Sequence, residues 1–248
     1  MLQKILDWQY NLPQLNNICL SLELDQIHIW QANLNLDSST LQKLQIILSE
    51  DEKLRADRFY FPADKNHYLA ARGILRSILA GYLDTNPELI KFTYTPQGKP
   101  YIVNDNRENS VKHRNKGIQF NLSHSQNLAL YAIAIDRPVG IDLEYCRPLT
   151  DALALAKRWF LPSEYQQLLA QTNQETCFLR LWTAKEAYLK ATGMGLPGLS
   201  TVEISITSDN SLQLKTINNS QELARKWSLL ELNPAPNYVG ALAIPNIE

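Results

Sequence analysis

Two carboxylates one residue apart carry the first chemistry in this chain. In Gly140-Ile-Asp-Leu-Glu144, read as a strand, residues i and i+2 project to one face. Asp142 and Glu144 then stand side by side, while Ile141 and Leu143 turn toward a core. Adjacent carboxylates repel, and a hard cation held by oxygen with room for water, Mg²⁺ above all, relieves the repulsion. The same pattern also fits a strand whose solvent face is acidic. A third carboxylate lies on the stretch Leu179–Lys190. Spaced at the helical period, Glu186 falls among Leu179, Trp182 and Leu189, inside an apolar stripe. An ionised carboxylate there has a high desolvation cost unless a cation meets it. Lys190, one turn on, shares that face; the pair also fits an ordinary i,i+4 ion pair worth ~0.3–0.5 kcal/mol on a solvated helix.

Two further groups suit phosphate. Asn121, Ser123 and His124 stand just before an apolar run. Consecutive residues on an extended chain diverge and no Gly-x-Ser-x-Gly elbow is present, so a Ser–His hydrolase is disfavoured. Imidazole, hydroxyl and backbone N–H together can hold a phosphate; a neutral core histidine is the other reading. Gly98-Lys99-Pro100 reads as a turn, and its stiff frame makes Lys99 a good single-point phosphate contact.

The elements that must position these groups follow from periodicity and punctuation. Residues 27–34 alternate as a strand. Ser38-Ser39-Thr40 supplies N-cap candidates for a helix with Leu41, Leu44, Ile47 and Leu48 on one side. Pro62 opens a longer helix whose apolar face is Tyr68, Leu69, Leu75, Ile78 and Leu79, with Arg72 and Arg76 four apart. Phe92 and Tyr94 mark a strand running into the 96–100 turn, and the polar stretch 104–117 reads as a long surface loop. Leu128–Ile135 is a buried strand, 139–144 another. Helices are expected over 149–159, 162–171 and 174–192, the last ending at Gly193 and Gly195. Strands at 202–206, 212–217, 227–232 and 238–244 form a meander with a short helix near 220–226. Setting 49–80 against 163–194 without a gap matches Ser49/Ser163, Glu50/Glu164, Leu54/Leu168, Ala56/Ala170, Ala70/Ala184 and Leu75/Leu189. That echo hints at two similar α/β halves meeting near Arg137-Pro138, with a ligand cleft between them.

Composition bounds the partners. The chain has 248 residues, 45% hydrophobic and 20% charged, enough for one large or two small cores. Lys+Arg is 24 and Asp+Glu 25, without the basic excess that nucleic-acid binding needs. Cys19, Cys146 and Cys177 are scattered and form no C-x-x-C pair, which fits reduced thiols rather than disulfides or zinc. No stretch has the ~20 apolar residues of a membrane span and no secretory leader is apparent, so a cytoplasmic protein is expected.

Taken in order, Gly98-Lys-Pro100, Phe120-Asn-Leu-Ser-His124, Gly140-Ile-Asp-Leu-Glu144 and Trp182-Thr-Ala-Lys-Glu186-Ala-Tyr-Leu-Lys190 resemble the 4′-phosphopantetheinyl transferases of the surfactin-synthetase-activating type. The resemblance runs by motif from about Arg55 to Lys190. It implies an α/β (α+β) pseudo-dimer of two similar subdomains, 1–137 and 138–248, with the active site at their interface. The activity implied is transfer of 4′-phosphopantetheine from coenzyme A to a serine of an acyl or peptidyl carrier protein, releasing adenosine 3′,5′-bisphosphate. By resemblance Asp142, Glu144 and Glu186 hold Mg²⁺ on the pyrophosphate, Glu186 helps deprotonate the serine, and Lys190 steadies the leaving phosphate. Arg55, Lys99, Ser123 and His124 receive the 3′-phosphate and adenosine end. The enzyme is expected to be a monomer. Two departures stand out: the loop after Lys99 is longer than in the archetype, leaving Lys112, Arg114 and Lys116 without a role, and Glu52 stands where some members have Lys, with Lys53 a candidate substitute. The competing readings are an Mg²⁺-dependent pyrophosphatase or nucleotide hydrolase using the same carboxylates, and a non-catalytic module that binds coenzyme A without turnover.

Overall fold

Alternating and helical apolar patterns resolve into a mixed α/β chain, the expected class. A computed structural model describes residues 2–8, 20–103 and 117–247. The stretch 104–116, with Lys112, Arg114 and Lys116, lies outside the described residues, as does Cys19. Two compact units are present: Met1–Tyr94 with Pro100–Asp136, and Thr95–Lys99 with Arg137–Glu248.

The first unit contains strands β1 (Leu2–Asp7), β2 (Gln26–Asn33), β3 (Phe92–Tyr94), β4 (Pro100–Ile102), β5 (Ile118–Ser125) and β6 (Leu128–Ile135). Its main sheet has the order β1-β2-β6-β5, antiparallel but for the parallel β1–β2 pair. Among the described residues three helices accompany it: α1 (Ser38–Ile46), α2 (Glu50–Ala56) and α3 (Pro62–Leu83). The cap of α1 sits one residue before the expected run, because the Asp37 carboxylate accepts the Thr40 N–H at 2.9 Å and the Ser39 and Thr40 hydroxyls as well. Pro62 opens α3 without losing a hydrogen bond, since first-turn N–H groups have no helical partner. Leu69, Leu75, Ile78 and Leu79 are buried as expected, Leu75, Ile78 and Leu79 among Trp30, Tyr131 and Ile133 of the sheet.

The helix α2 has no counterpart in the sequence reading, and it explains Glu52. That carboxylate accepts the Ser49 N–H and hydroxyl at 3.1 and 3.0 Å and then pairs with two arginines of α3. Arg72 Nε donates to Glu52 Oε1 at 2.7 Å and Arg76 Nε to Oε2 at 2.6 Å, all three side chains being buried. Arg76 also donates to the Pro87 and Ile90 carbonyls, and both guanidiniums lie over the Phe92 ring. Buried charge of this kind survives only when paired and hydrogen-bonded.

The second unit contains β7 (Gly140–Tyr145), helices α4 (Ala152–Trp159), α5 (Pro162–Leu169) and α6 (Gln174–Thr192), the hairpin β8 (Val202–Ile206) and β9 (Leu212–Ile217), helix α7 (Gln221–Arg225), and strands β10 (Trp227–Leu232) and β11 (Tyr238–Pro245). The expected single meander is split: among the described residues β8 pairs only with β9, while β11 pairs with β10 on one side and β7 on the other. The chain between β9 and β10 is taken up by α7, and β11 finds its second neighbour in the earlier strand β7.

Helix α6 is buried on most of its circumference, among Phe160, Leu168, Val202, Ile204, Ala241 and Ala243. Its approach to β7 depends on one residue. A Cβ at Gly140 would lie 2.0 Å from the Ala187 carbonyl oxygen and 2.3 Å from the Ala191 nitrogen, so the strand backbone rests directly on the helix backbone. The helix stops at Gly193, whose φ of 73° is the left-handed cap conformation. No described helix is long and apolar enough to cross a membrane.

Candidate active site

Strand β7 delivers the paired carboxylates as alternation requires, but not onto an open acidic face. Ile141 and Leu143 are fully buried, and Asp142 is itself only 4% exposed; Glu144 is half-buried. Lys190 donates to Asp142 Oδ1 at 2.6 Å. The cation on α6 therefore reaches to the neighbouring strand, where the sequence also allowed a pair with Glu186 on its own helix. The direct β7–α6 contact at Gly140 makes this reach possible.

Glu186 projects from the apolar stripe of α6 as expected, with Leu179 and Leu189 buried on either side. Burial pushes its carboxyl pKa up, the charges of Asp142 and Glu144 push it further, and Lys190 opposes them. The three carboxylates and Lys190 thus form one electrostatic group within the second unit. Among the described residues no three His, Cys, Asp or Glu side chains are drawn together into a finished metal cage, and at Asp142 the counter-ion is the Lys190 ammonium. The donor set nevertheless fits Mg²⁺: it is all carboxylate, without thiol or imidazole, and its mutual repulsion is what a hard divalent cation neutralises.

Lys185, beside Glu186, escaped the sequence reading. Its side chain is 0% exposed, and its ammonium donates to both Glu164 oxygens at 2.8 and 2.7 Å and to the Val202 carbonyl at 2.6 Å. Glu164 also accepts the Leu161 and Ile204 N–H groups, each at 2.8 Å. Desolvation lowers the Lys185 pKa while Glu164 opposes the shift. The signal was available: Lys185 has Leu181 and Tyr188 as its helical neighbours, so it faces the core.

Lys99 lies in the second unit, and its ammonium donates to the Ala191 carbonyl at 2.8 Å and the Val139 carbonyl at 3.3 Å. Burial lowers its pKa to about 8.

The remaining expected ligands belong to the first unit. Asn121, Ser123 and His124 lie within strand β5 rather than before a strand, with Ser123 opposite Leu130 and His124 opposite Ala129. Asn121 and Ser123 are buried and His124 is exposed, which removes the reading of a core histidine. Arg55 is exposed on α2 over the Tyr68 ring, and with Asp51, Arg58 and Phe59 it lines a cavity of about 420 Å³. Arg58 and Phe59 were not singled out from the sequence. Lys53 pairs with Glu50 at 2.9 Å, and Glu52 is committed to Arg72 and Arg76.

Comparison with known proteins assigns both parts of the chain to one family. Residues 138–243 match the 4′-phosphopantetheinyl transferase superfamily, and residues 32–135 match the 4′-phosphopantetheinyl transferase N-terminal family. The chain is 48% identical over 227 residues to the 4′-phosphopantetheinyl transferase HetI of Nostoc sp. (strain PCC 7120), covering 91% of this chain and 90% of that protein. It is 33% identical over 178 residues to the 4′-phosphopantetheinyl transferase psf-1 of Bacillus pumilus, covering 71% of each. To the 4′-phosphopantetheinyl transferase Sfp of Bacillus subtilis (strain 168) it is 27% identical over 177 residues, 70% of this chain and 73% of that one.

Proposed function

The chain belongs to the 4′-phosphopantetheinyl transferase family, and from that premise we infer that it moves 4′-phosphopantetheine from coenzyme A to a serine of an apo acyl or peptidyl carrier protein. The serine oxygen attacks the pantetheine-bearing phosphorus of the pyrophosphate. The bond from that phosphorus to the bridging oxygen breaks, and adenosine 3′,5′-bisphosphate leaves. The observation that carries this reading is the electrostatic group on β7 and α6: a half-buried Glu186 with a raised pKa, two further carboxylates, and a lysine bound to one of them.

Asp142, Glu144 and Glu186 would hold Mg²⁺, which supplies charge neutralisation on the pyrophosphate when bound. Glu186 takes the serine proton as the general base. Lys190 moves from Asp142 to the leaving phosphate, a charge-assisted contact that stabilises the departing oxyanion. Arg55, Ser123 and His124 receive the 3′-phosphate and adenosine end. Arg55 is exposed on a helix locked by Glu52, and His124 is exposed on a strand, so both can meet a polyanion without first leaving a core. The thiols of Cys146 and Cys177 are free, which suits a reducing compartment; the enzyme is read as a cytoplasmic monomer.

Incubating an apo carrier protein with enzyme, coenzyme A and Mg²⁺ tests the proposal by mass spectrometry. A gain of one phosphopantetheine, with stoichiometric adenosine 3′,5′-bisphosphate, is expected. Hydrolysis of coenzyme A without modification of the carrier would point to the pyrophosphatase alternative.

A further inference from the structure

Lys99, an expected phosphate ligand, has its ammonium engaged by the backbone of the unit that carries the carboxylates. Its two acceptors are informative by position. Val139 immediately precedes Gly140, where β7 touches α6, and Ala191 immediately follows Lys190. The Ala191 carbonyl is among the last four of α6, which lie beyond the reach of any further N–H of the helix and attract cations through the helix dipole. Among the described residues, strand β7 is at the end of its sheet and pairs with β11. One ammonium therefore joins the start of the strand bearing Asp142 to the last turn of the helix bearing Lys190. The turn that presents it is fixed by the Thr95 N–H to Lys99 carbonyl bond at 2.9 Å, the Lys99 N–H to Thr95 Oγ1 bond at 3.0 Å, and Gly98 at φ 85°. Beside it, the Gln97 side chain packs at the Gly195 position, just past the helix end.

We propose that Lys99 is a positioning residue for the transfer reaction: it clamps β7 to the C-terminal turn of α6 and so sets the separation of Asp142 from Lys190 and Glu186, rather than binding the 3′-phosphate of coenzyme A. The proposal rests on the transferase reading above. It differs from a phosphate contact in what it does to two donors, coenzyme A and 3′-dephospho-coenzyme A. A clamp serves both equally, because both carry the same pyrophosphate.

The test compares wild type, Lys99→Met and Lys99→Arg with both donors on one apo carrier. Lys99→Met keeps the length of the stem and removes the donor. Its kcat is expected to fall about tenfold or more with either donor, since small misplacements of reacting groups are costly. The ratio of KM for coenzyme A to KM for 3′-dephospho-coenzyme A stays at the wild-type value, and Lys99→Arg, which can still donate to both carbonyls, recovers part of kcat. A loss confined to coenzyme A would overturn the proposal, as would a lowered melting temperature with kcat intact. A wild-type measurement stands beside these in case Lys99→Met fails to fold. Labelling of the Lys99 amine by a small acylating reagent should be equally slow with no ligand, with adenosine 5′-monophosphate and with adenosine 3′,5′-bisphosphate; protection by the 3′,5′-bisphosphate alone would overturn the clamp. Failure of the transferase reading looks different, because wild type would then modify the carrier with neither donor.

Discussion

In the proposed reaction Glu186 carries the proton transfer; it is half-buried, and the charges of Asp142 and Glu144 raise its pKa while Lys190 opposes them. On that reading Glu186→Gln keeps the size of the side chain while removing the base and one anionic ligand. The expected result is near-complete loss of transfer with weaker effects on coenzyme A affinity, read by single-turnover kinetics against equilibrium binding. A near-normal rate at saturating coenzyme A and Mg²⁺ would contradict the assignment. Asp142→Ala removes the partner of Lys190 and should abolish both activity and its saturation by Mg²⁺; activity that survives and still titrates normally with Mg²⁺ would show that the metal sits elsewhere. At the phosphate end, His124→Ala should raise KM for coenzyme A while barely touching KM for 3′-dephospho-coenzyme A. One charge-assisted hydrogen bond is worth about 1.5–3 kcal/mol, or roughly 10- to 150-fold. At this scale residue type and spacing were good guides to the carboxylates, since a period of two or 3.6 decides which side chains share a face. They were poor guides to the cations. Lys190, Lys185, Arg72, Arg76 and Lys99 all have partners distant in the chain, and nothing local says which long flexible side chain reaches which carboxylate or carbonyl.

Helix α6 shows what an element must satisfy to carry such residues. It is anchored on one side by the Lys185–Glu164 pair and on another by backbone contact at Gly140. Lys185→Met leaves Glu164 as a buried charge without its cation, at a cost of about 3–5 kcal/mol. Adding Glu164→Gln should restore part of that loss. Denaturant midpoints of the wild type, the single and the double variant measure it, and a cost below about 1 kcal/mol for the single variant would show that water reaches the site. Gly140→Ala places a methyl group against helix backbone that cannot rotate away, so it should lower both melting temperature and kcat, with a stability cost of at least about 1–3 kcal/mol. A variant of wild-type stability and activity would mean that β7 and α6 slide apart freely. The ends of α6 were legible at Gln174 and Gly193, because cap chemistry is local. The split of the C-terminal strands into two sheets was not, because pairing of β7 with β11 joins segments far apart in sequence and leaves no periodic trace.

At the scale of the whole molecule, each of the two units contains the same device. A short helix carries a glutamate at its third position, which accepts the N–H of the residue before the helix and pairs with a cation buried on the next, longer helix: Glu52 with Arg72 and Arg76, Glu164 with Lys185. The ungapped echo that set Glu50 against Glu164 is thus two residues out of register, a shift that a handful of identities is too weak to detect, whereas the capping geometry fixes it. The segment after α6 can serve in two ways, as a plain connection with Met194 and Leu196 in the core or as an apolar edge for a partner. Both side chains are exposed, Met194 by 37% and Leu196 by 48%, while Leu199 is buried and a Cβ at Gly198 would press on Leu189. Gly193 and Gly195 have φ of 73° and 65°, which fixes the path of this edge just beyond Lys190. Under the proposed transfer reaction, a small apolar edge beside Lys190 suits the partner surface that presents the acceptor serine. Replacing Met194 and Leu196 together by Ser should leave the protein folded and KM for coenzyme A unchanged. KM for the carrier protein should rise about tenfold, equivalent to ~1.4 kcal/mol. A fall in melting temperature with an unaltered carrier KM would instead assign the two side chains to the stability of the second unit alone.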